Sequence, residues 1–146
     1  MKLELKKVTY NARLSQETSA FAAEIWIDGA KRGSVMNDGG GAPNRYEDRA
    51  AEKEIDAYAK TLPKVKSPFS DDEYERDADM IVGDLLDEHL EGKRLARMMK
   101  TKTVFVRGGK IYSVKAGGHR AQSGDVVLNT MPLDEAVKAF IAGTSQ

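Results

Sequence analysis

Between Phe21 and Ile27 the side chains alternate strictly, with Phe21, Ala23, Ile25 and Ile27 on one parity and Ala22, Glu24 and Trp26 on the other. A period of two puts the first set on one side of a strand, facing a core. The run closes on Asp28-Gly29, a dipeptide that tolerates the positive φ angles of a two-residue hairpin turn. The strand through Val35 and Met36 is therefore expected to pair back onto it. Upstream, Leu3 and Leu5 share one parity and Val8, Tyr10 and Ala12 the other, which predicts a bulge or bend near Lys6 and Lys7. Downstream, Asn37-Asp38-Gly39-Gly40-Gly41-Ala42-Pro43 predicts a loop, because three consecutive glycines and a proline disfavour regular structure.

The period then changes to that of a helix. Asn44 and Glu47 have capping-box spacing, and Ala51, Ile55, Tyr58 and Leu62 follow at helical intervals until Pro63. Ser70 and Glu73 repeat the spacing and predict a longer helix, whose Tyr74, Ala78, Ile81, Val82, Leu85 and Leu86 share one arc. Gly92 is expected to end or bend it. Thr103–Val106 and Ile111–Lys115 read as a hairpin across Gly108-Gly109, Val126–Leu128 as one more strand, and Pro132 as the start of a last helix striped by Leu133, Val137, Phe140 and Ile141. The order β-β-β-α-α-β-β-β-α, with no internal repeat, makes the fold class α+β with antiparallel sheet. At 146 residues one domain is expected: N-terminal sheet and glycine-rich loop over 1–43, helices over 44–100, and hairpin, strand and C-terminal helix over 101–146.

A formal net charge of zero conceals a partition. Residues 71–91 carry ten acids (Asp71, Asp72, Glu73, Glu75, Asp77, Asp79, Asp84, Asp87, Glu88 and Glu91) against the single base Arg76. Residues 93–124 carry nine bases and no acid. Blocks of one sign call for a counterpart, within the molecule or on a partner. On the expected long helix Glu73, Asp77, Asp84, Asp87, Glu88 and Glu91 span about 100° of arc opposite the apolar side, an acidic face suited either to solvent or to a basic groove. With Trp26, a residue type enriched at hot spots, they form the candidate protein-binding set.

The basic block admits a different partner. A two-residue Gly108-Gly109 turn sets Phe105 opposite Tyr112 and Arg107 opposite Lys110, two aromatics and two cations on one hairpin face with Val114. Platforms for single-stranded nucleic acid have that composition, although aromatics on strands also build cores. For catalysis, His119, Ser123 and Asp125 have the chemistry of base, nucleophile and orienter, and a small hydrolase or transferase using His119 and Asp38 is a further alternative. The amides of Asp38-Gly39-Gly40-Gly41 could face a phosphate, without the lysine of a P-loop. His89 falls on the apolar arc, where a packed, hydrogen-bonded histidine is expected. No metal-ligand spacing is present and no cofactor is expected.

The chain has no cysteine, which removes disulfides, thiolate metal sites and a thiol nucleophile and fits a reducing compartment. No apolar run approaches 18 residues, and charges at the N-terminus replace the apolar stretch of a signal peptide, so a cytoplasmic protein without a membrane partner is expected.

The segment Lys7-Val8-Thr9-Tyr10-Asn11-Ala12-Arg13-Leu14-Ser15-Gln16-Glu17-Thr18-Ser19-Ala20-Phe21, followed by Ile25-Trp26-Ile27-Asp28-Gly29 and Asn37-Asp38-Gly39-Gly40-Gly41, resembles a family of small proteins carried by phages and mobile elements. The resemblance covers about the first third of the chain and implies context but no catalytic residue. Accessory proteins of such elements commonly inhibit host defence machinery, including CRISPR complexes whose channels are basic where they hold nucleic acid. The resulting expectation is a non-enzymatic interaction protein, an inhibitor of a host nucleoprotein defence complex acting through the acidic helix.

Overall fold

The computed structural model describes residues 1–144, an α+β chain with three helices and antiparallel sheets in the expected order. It divides into two compact units, Met1–Leu86 and the chain from Asp87 onward.

The first unit is built on a four-stranded sheet in sequence order: β1 (Leu3–Asn11), β2 (Ala20–Ile27), β3 (Ala30–Asp38) and the short β4 (Arg45–Tyr46). The β1–β2 register slips between Lys6 and Thr9, where Lys7 adopts φ 51°, so the expected bulge is present. Asp28 (φ 50°) and Gly29 (φ 84°) form the β2–β3 turn. Phe21, Ala23, Ile25 and Ile27 are all buried, and Val35 is fully so. On the other side of the sheet, Trp26 pairs with Glu4 and Lys31, and Ala22 with Thr9 and Met36.

Helix α1 (Arg49–Lys60) starts later than the Asn44/Glu47 box predicts. Asp48 is its N-cap and accepts from the amides of Ala50 (2.9 Å) and Ala51 (3.1 Å), leaving Asn44 to other partners. Ala51, Ile55 and Ala59, four residues apart, are its fully buried stripe.

The second helix departs more from expectation. Ser70 does not cap it: Val65–Lys66 (β5) and Glu73–Tyr74 (β6) form a small hairpin, and helix α2 runs from Ala78 to Met99. Within the hairpin tip the Ser70 hydroxyl accepts from the Asp72 amide and donates to the Asp72 carboxylate, both at 3.2 Å. Short polar side chains that bond their own backbone favour turns over helix. Carrying Asp71, Glu73, Glu75, Asp77 and Asp79 on a helix would also stack like charges four residues apart, at about 0.2–0.5 kcal/mol per pair. Asp77 is the true cap, accepting from the Met80 amide at 2.9 Å. Asp56 of α1 caps the same helix end by accepting from the Ala78 amide, also at 2.9 Å. Gly92 neither ends nor interrupts the helix; a Cβ there would lie 3.4 Å from Val137.

The second unit contains the remainder of α2, then β7 (Lys102–Arg107), β8 (Lys110–Lys115), β9 (Val126–Val127), a 3-10 turn (Leu128–Thr130) and α3 (Leu133–Thr144). Gly108 (φ 60°) and Gly109 (φ 77°) close the expected hairpin, with Phe105 opposite Tyr112 and Arg107 opposite Lys110. Strand β7 lies between β8 and β9. The core combines Leu95, Val104, Leu128, Ala136, Val137 and Phe140, ringed by Met98, Met99, Val106, Ile111 and Met131. No helix among the described residues is long and apolar enough to cross a membrane.

Candidate functional site

Of the residues expected on one acidic face, α2 carries Asp84, Asp87, Glu88 and Glu91. By the periodicity of that continuous helix they fall within about 100° of arc. Asp84, Asp87 and Glu88 are exposed. Arg76 Nη1 is 3.1 Å from Asp84, and Arg94 Nη1 is 3.2 Å from Glu91. Glu73 and Asp77 do not belong to the face, since Glu73 lies on β6 and Asp77 caps the helix. Asp79 turns inward and accepts the Tyr46 hydroxyl at 2.7 Å and the Asn44 amide at 3.2 Å. Burial, with Asp79 beside it, pushes the Tyr46 phenol well above its ordinary value. Periodicity gave no sign that Asp79 would be withdrawn, because its partners lie more than thirty residues upstream.

Trp26 is half-buried on the sheet surface. Its indole N–H donates to Glu24 at 3.2 Å, and Lys6 Nζ stands 4.0 Å from the ring centroid. Glu24 also receives Lys31 at 3.0 Å, and Lys31 and then Trp26 hold its carboxyl below the usual range. A cation over a tryptophan face is the geometry of a cation–π contact.

The hairpin face has the expected composition but is largely covered. Phe105 is 4% exposed, and its ring lies 5.7 Å from that of Tyr112, which is 44% exposed. The segment following β8 folds over this face. His119 places its ring 4.4 Å from Phe105, and Asp125 takes Arg107 bidentately, at 2.8 Å from both Nε and Nη2. The Asp125 carboxylate is 3% exposed and also meets His119 Nε2 at 3.0 Å and the Gln122 amide at 2.9 Å. Arg107, followed by the Gln122 amide, holds the Asp125 carboxyl far below the usual carboxylate range against the opposing effect of burial. In sequence, the signal for this anchor was that Asp125 is the acid that ends the basic block.

The catalytic constellation forms only in part. His119 and Asp125 meet, but no hydrogen bond among the described residues joins Ser123 to His119, and the Asp125 carboxylate is already engaged by an arginine. Asp38, the other residue of the hydrolase alternative, belongs to the first unit and accepts the Gly40 amide at 3.2 Å.

The glycine-rich loop is tied down. Asn37, 8% exposed, accepts from Thr18 (2.7 Å) and the Gly39 amide (2.9 Å) and donates to Ala42 O and Asn44 (both 2.9 Å). The amides of Gly39, Gly40 and Gly41 donate to Asn37, Asp38 and Thr18. Amides that could have faced a phosphate are therefore already donated within the loop. His89 Nε2 is buried without a hydrogen-bond partner, contrary to the expectation of a satisfied ring; burial, with Lys93 nearby, lowers its pKa. No cluster of metal-ligating side chains occurs among the described residues.

These carboxylates set the response to acid. Asp48, Asp56 and Asp125 all have lowered pKa values, owing first to the Ala51 amide, to Lys60 and to Arg107 respectively. In the unfolded chain they take up protons near pH 4, before the folded protein does, so protonation favours unfolding. Stability is fully present above that range and is lost as pH falls through the folded values. His89 acts in the same direction from about pH 6.5 downward, since its folded pKa is lowered and the unfolded chain protonates first. Urea titrations at pH 7, 5 and 3 are expected to show a falling midpoint, with the steepest loss below pH 4. An unchanged midpoint at pH 3 would contradict the assignment.

Compared with known proteins, the chain matches no family model, no curated protein and no solved structure.

Proposed function

We propose that this is a non-enzymatic interaction protein of phage or mobile-element type. It engages a basic groove of a host nucleoprotein defence complex through the exposed acids of α2, in the host cytoplasm. The observation that carries the reading is that α2 presents Asp84, Asp87 and Glu88 as exposed side chains, with Glu91 within the same arc of about 100°. An array of carboxylates at helical spacing offers such a groove a substitute for phosphates, and electrostatic complementarity would govern the rate and selectivity of docking. The place of Glu73 on β6 and the capping role of Asp77 narrow the contact set to Asp84, Asp87, Glu88 and Glu91. Trp26 supplies a second, aromatic contact.

Replacing Asp84, Asp87, Glu88 and Glu91 together by lysine is expected to abolish capture of the host complex while leaving the circular dichroism spectrum unchanged. Capture by the wild type should survive nuclease and be competed by duplex DNA, because both ligands seek the same groove. Equal capture by the lysine variant would remove the acidic face from the function.

A second reading, nucleic-acid binding by the second unit, is favoured by its charge. From Asp87 onward ten lysines and arginines face six aspartates and glutamates, and Lys110, Lys115 and Arg120 are all exposed. Binding of that kind weakens steeply with salt.

A further inference from the structure

We propose that the segment 116–124 is a strap covering a binding site for single-stranded nucleic acid, and that the His119 ring occupies the place of a nucleobase on Phe105. The inference is independent of the acidic face and rests on the geometry of the hairpin. Two aromatic rings lie side by side on one surface, Phe105 and Tyr112, 5.7 Å apart with planes 19° apart. Arg107 and Lys110 flank them, and the Arg107 guanidinium is 4.9 Å from the Phe105 ring centroid. Stacking surface beside cations is what a single strand requires.

His119 is the strap side chain that lies against Phe105. Every residue from 116 to 124 is exposed except His119, whose side chain is 13% exposed and lies 4.4 Å from Phe105, tilted by 43°. The ring is aromatic, planar, and hydrogen-bonded at its edge by the Asp125 carboxylate at 3.0 Å. A base sliding onto Phe105 would meet the same ring face and could donate an edge N–H, such as thymine N3–H, to the same carboxylate. The strap has the backbone to swing away. Gly117 (φ 82°) and Gly124 (φ 88°) bracket His119, and a Cβ at either would meet nothing within 4 Å. Besides the His119 contact with Asp125, the polar ties of the strap include the Gln122 amide to Asp125 at 2.9 Å, the Asp125 amide to Gln122 O at 3.1 Å and the Arg107 guanidinium to Arg120 O at 3.2 Å. At its start the Ala116 amide donates to Thr101 O at 3.4 Å and the Gly118 amide to Lys115 O at 2.8 Å. Asp125 stays with Arg107 when the strap moves, because that bidentate pair does not involve 116–124.

A closed strap lowers apparent affinity by the fraction of open molecules, so removing the plug should raise it. With a fluorescein-labelled oligo-dT as probe, anisotropy is expected to show weak, salt-sensitive binding to the wild type and about tenfold tighter binding to His119→Ala. Adding Tyr112→Ala to that variant should reverse the gain by about tenfold, as the loss of one stacking surface does. No gain in His119→Ala with the fold retained, or equal binding of duplex DNA, would overturn the proposal. If His119→Ala fails to fold, hydrogen exchange on the wild type decides instead. The Gln122 amide should exchange faster when oligo-dT is added, and unchanged or slower exchange would overturn the strap.

Discussion

Gly39→Ala is expected to unfold the first unit, whereas Gly40→Ala, one residue along, should leave it intact. A Cβ on Gly39 would collide with the carbonyl oxygen of Leu14 and stand 3.0 Å from the Ala20 side chain. The obstacle is backbone, and that backbone is fixed, because the Gly39 carbonyl accepts from the amides of Glu17 (3.0 Å) and Thr18 (3.3 Å). At φ 86° the residue also occupies the left-handed region, which disfavours alanine by about 1–2 kcal/mol before any clash. Steric conflict and strain together should exceed about 3 kcal/mol, a large fraction of the stability of a domain this size. Gly40 has no such constraint; its nearest neighbour would be Asp38 Oδ1 at 3.5 Å, and a change within about 0.5 kcal/mol is expected. Urea unfolding followed by Trp26 fluorescence reads this unit directly. Matching midpoints for the two variants would show that the loop from Leu14 does not close on Gly39.

Phe140→Ala should be the most damaging single truncation in the second unit. The ring is fully buried, packs within the cluster of Leu95, Val104, Leu128 and Val137, and lies 5.3 Å beneath the Arg94 guanidinium. Removing it forfeits both the transfer free energy of the ring and the contacts around the resulting cavity, about 3–5 kcal/mol. Leu133→Ala on the same helix is the control, since Leu133 is 52% exposed and its truncation should cost within about 0.5 kcal/mol. Near-equal losses from the two changes would mean that α3 does not pack by the face described.

Period-two and period-3.6 patterns were legible wherever a single face is buried. The β2 alternation, the Asp28-Gly29 and Gly108-Gly109 turns and the parity switch at Lys6 and Lys7 all translated directly into register, because each is a local steric rule. The helix starts were less legible. Ser70 and Asn44 have the right chemistry for caps, yet each found partners in a turn or loop, and the neighbouring aspartates Asp77 and Asp48 took the capping role. Charge along a sequence likewise does not reveal which carboxylates remain in water. Asp79 and Asp125 differ from Asp84 and Glu88 only in tertiary partners brought from distant residues. The hairpin platform was readable as composition, but its cover was not, because the meeting of His119 with Phe105 depends on the path of a glycine-rich segment.

Strand β1 forms one border of its sheet, so one side of a nine-residue strand has no neighbour within that sheet. An uninterrupted border of that length would be a template onto which another chain could add a strand, and from which polymers grow. The kink at Lys7 removes this hazard at its midpoint: the left-handed residue breaks the straight row of amides and carbonyls, and Lys2, Lys6 and Lys7 keep the border charged. The same irregularity that shifts the register of β1 thus makes this border a poor template for a strand from a second copy.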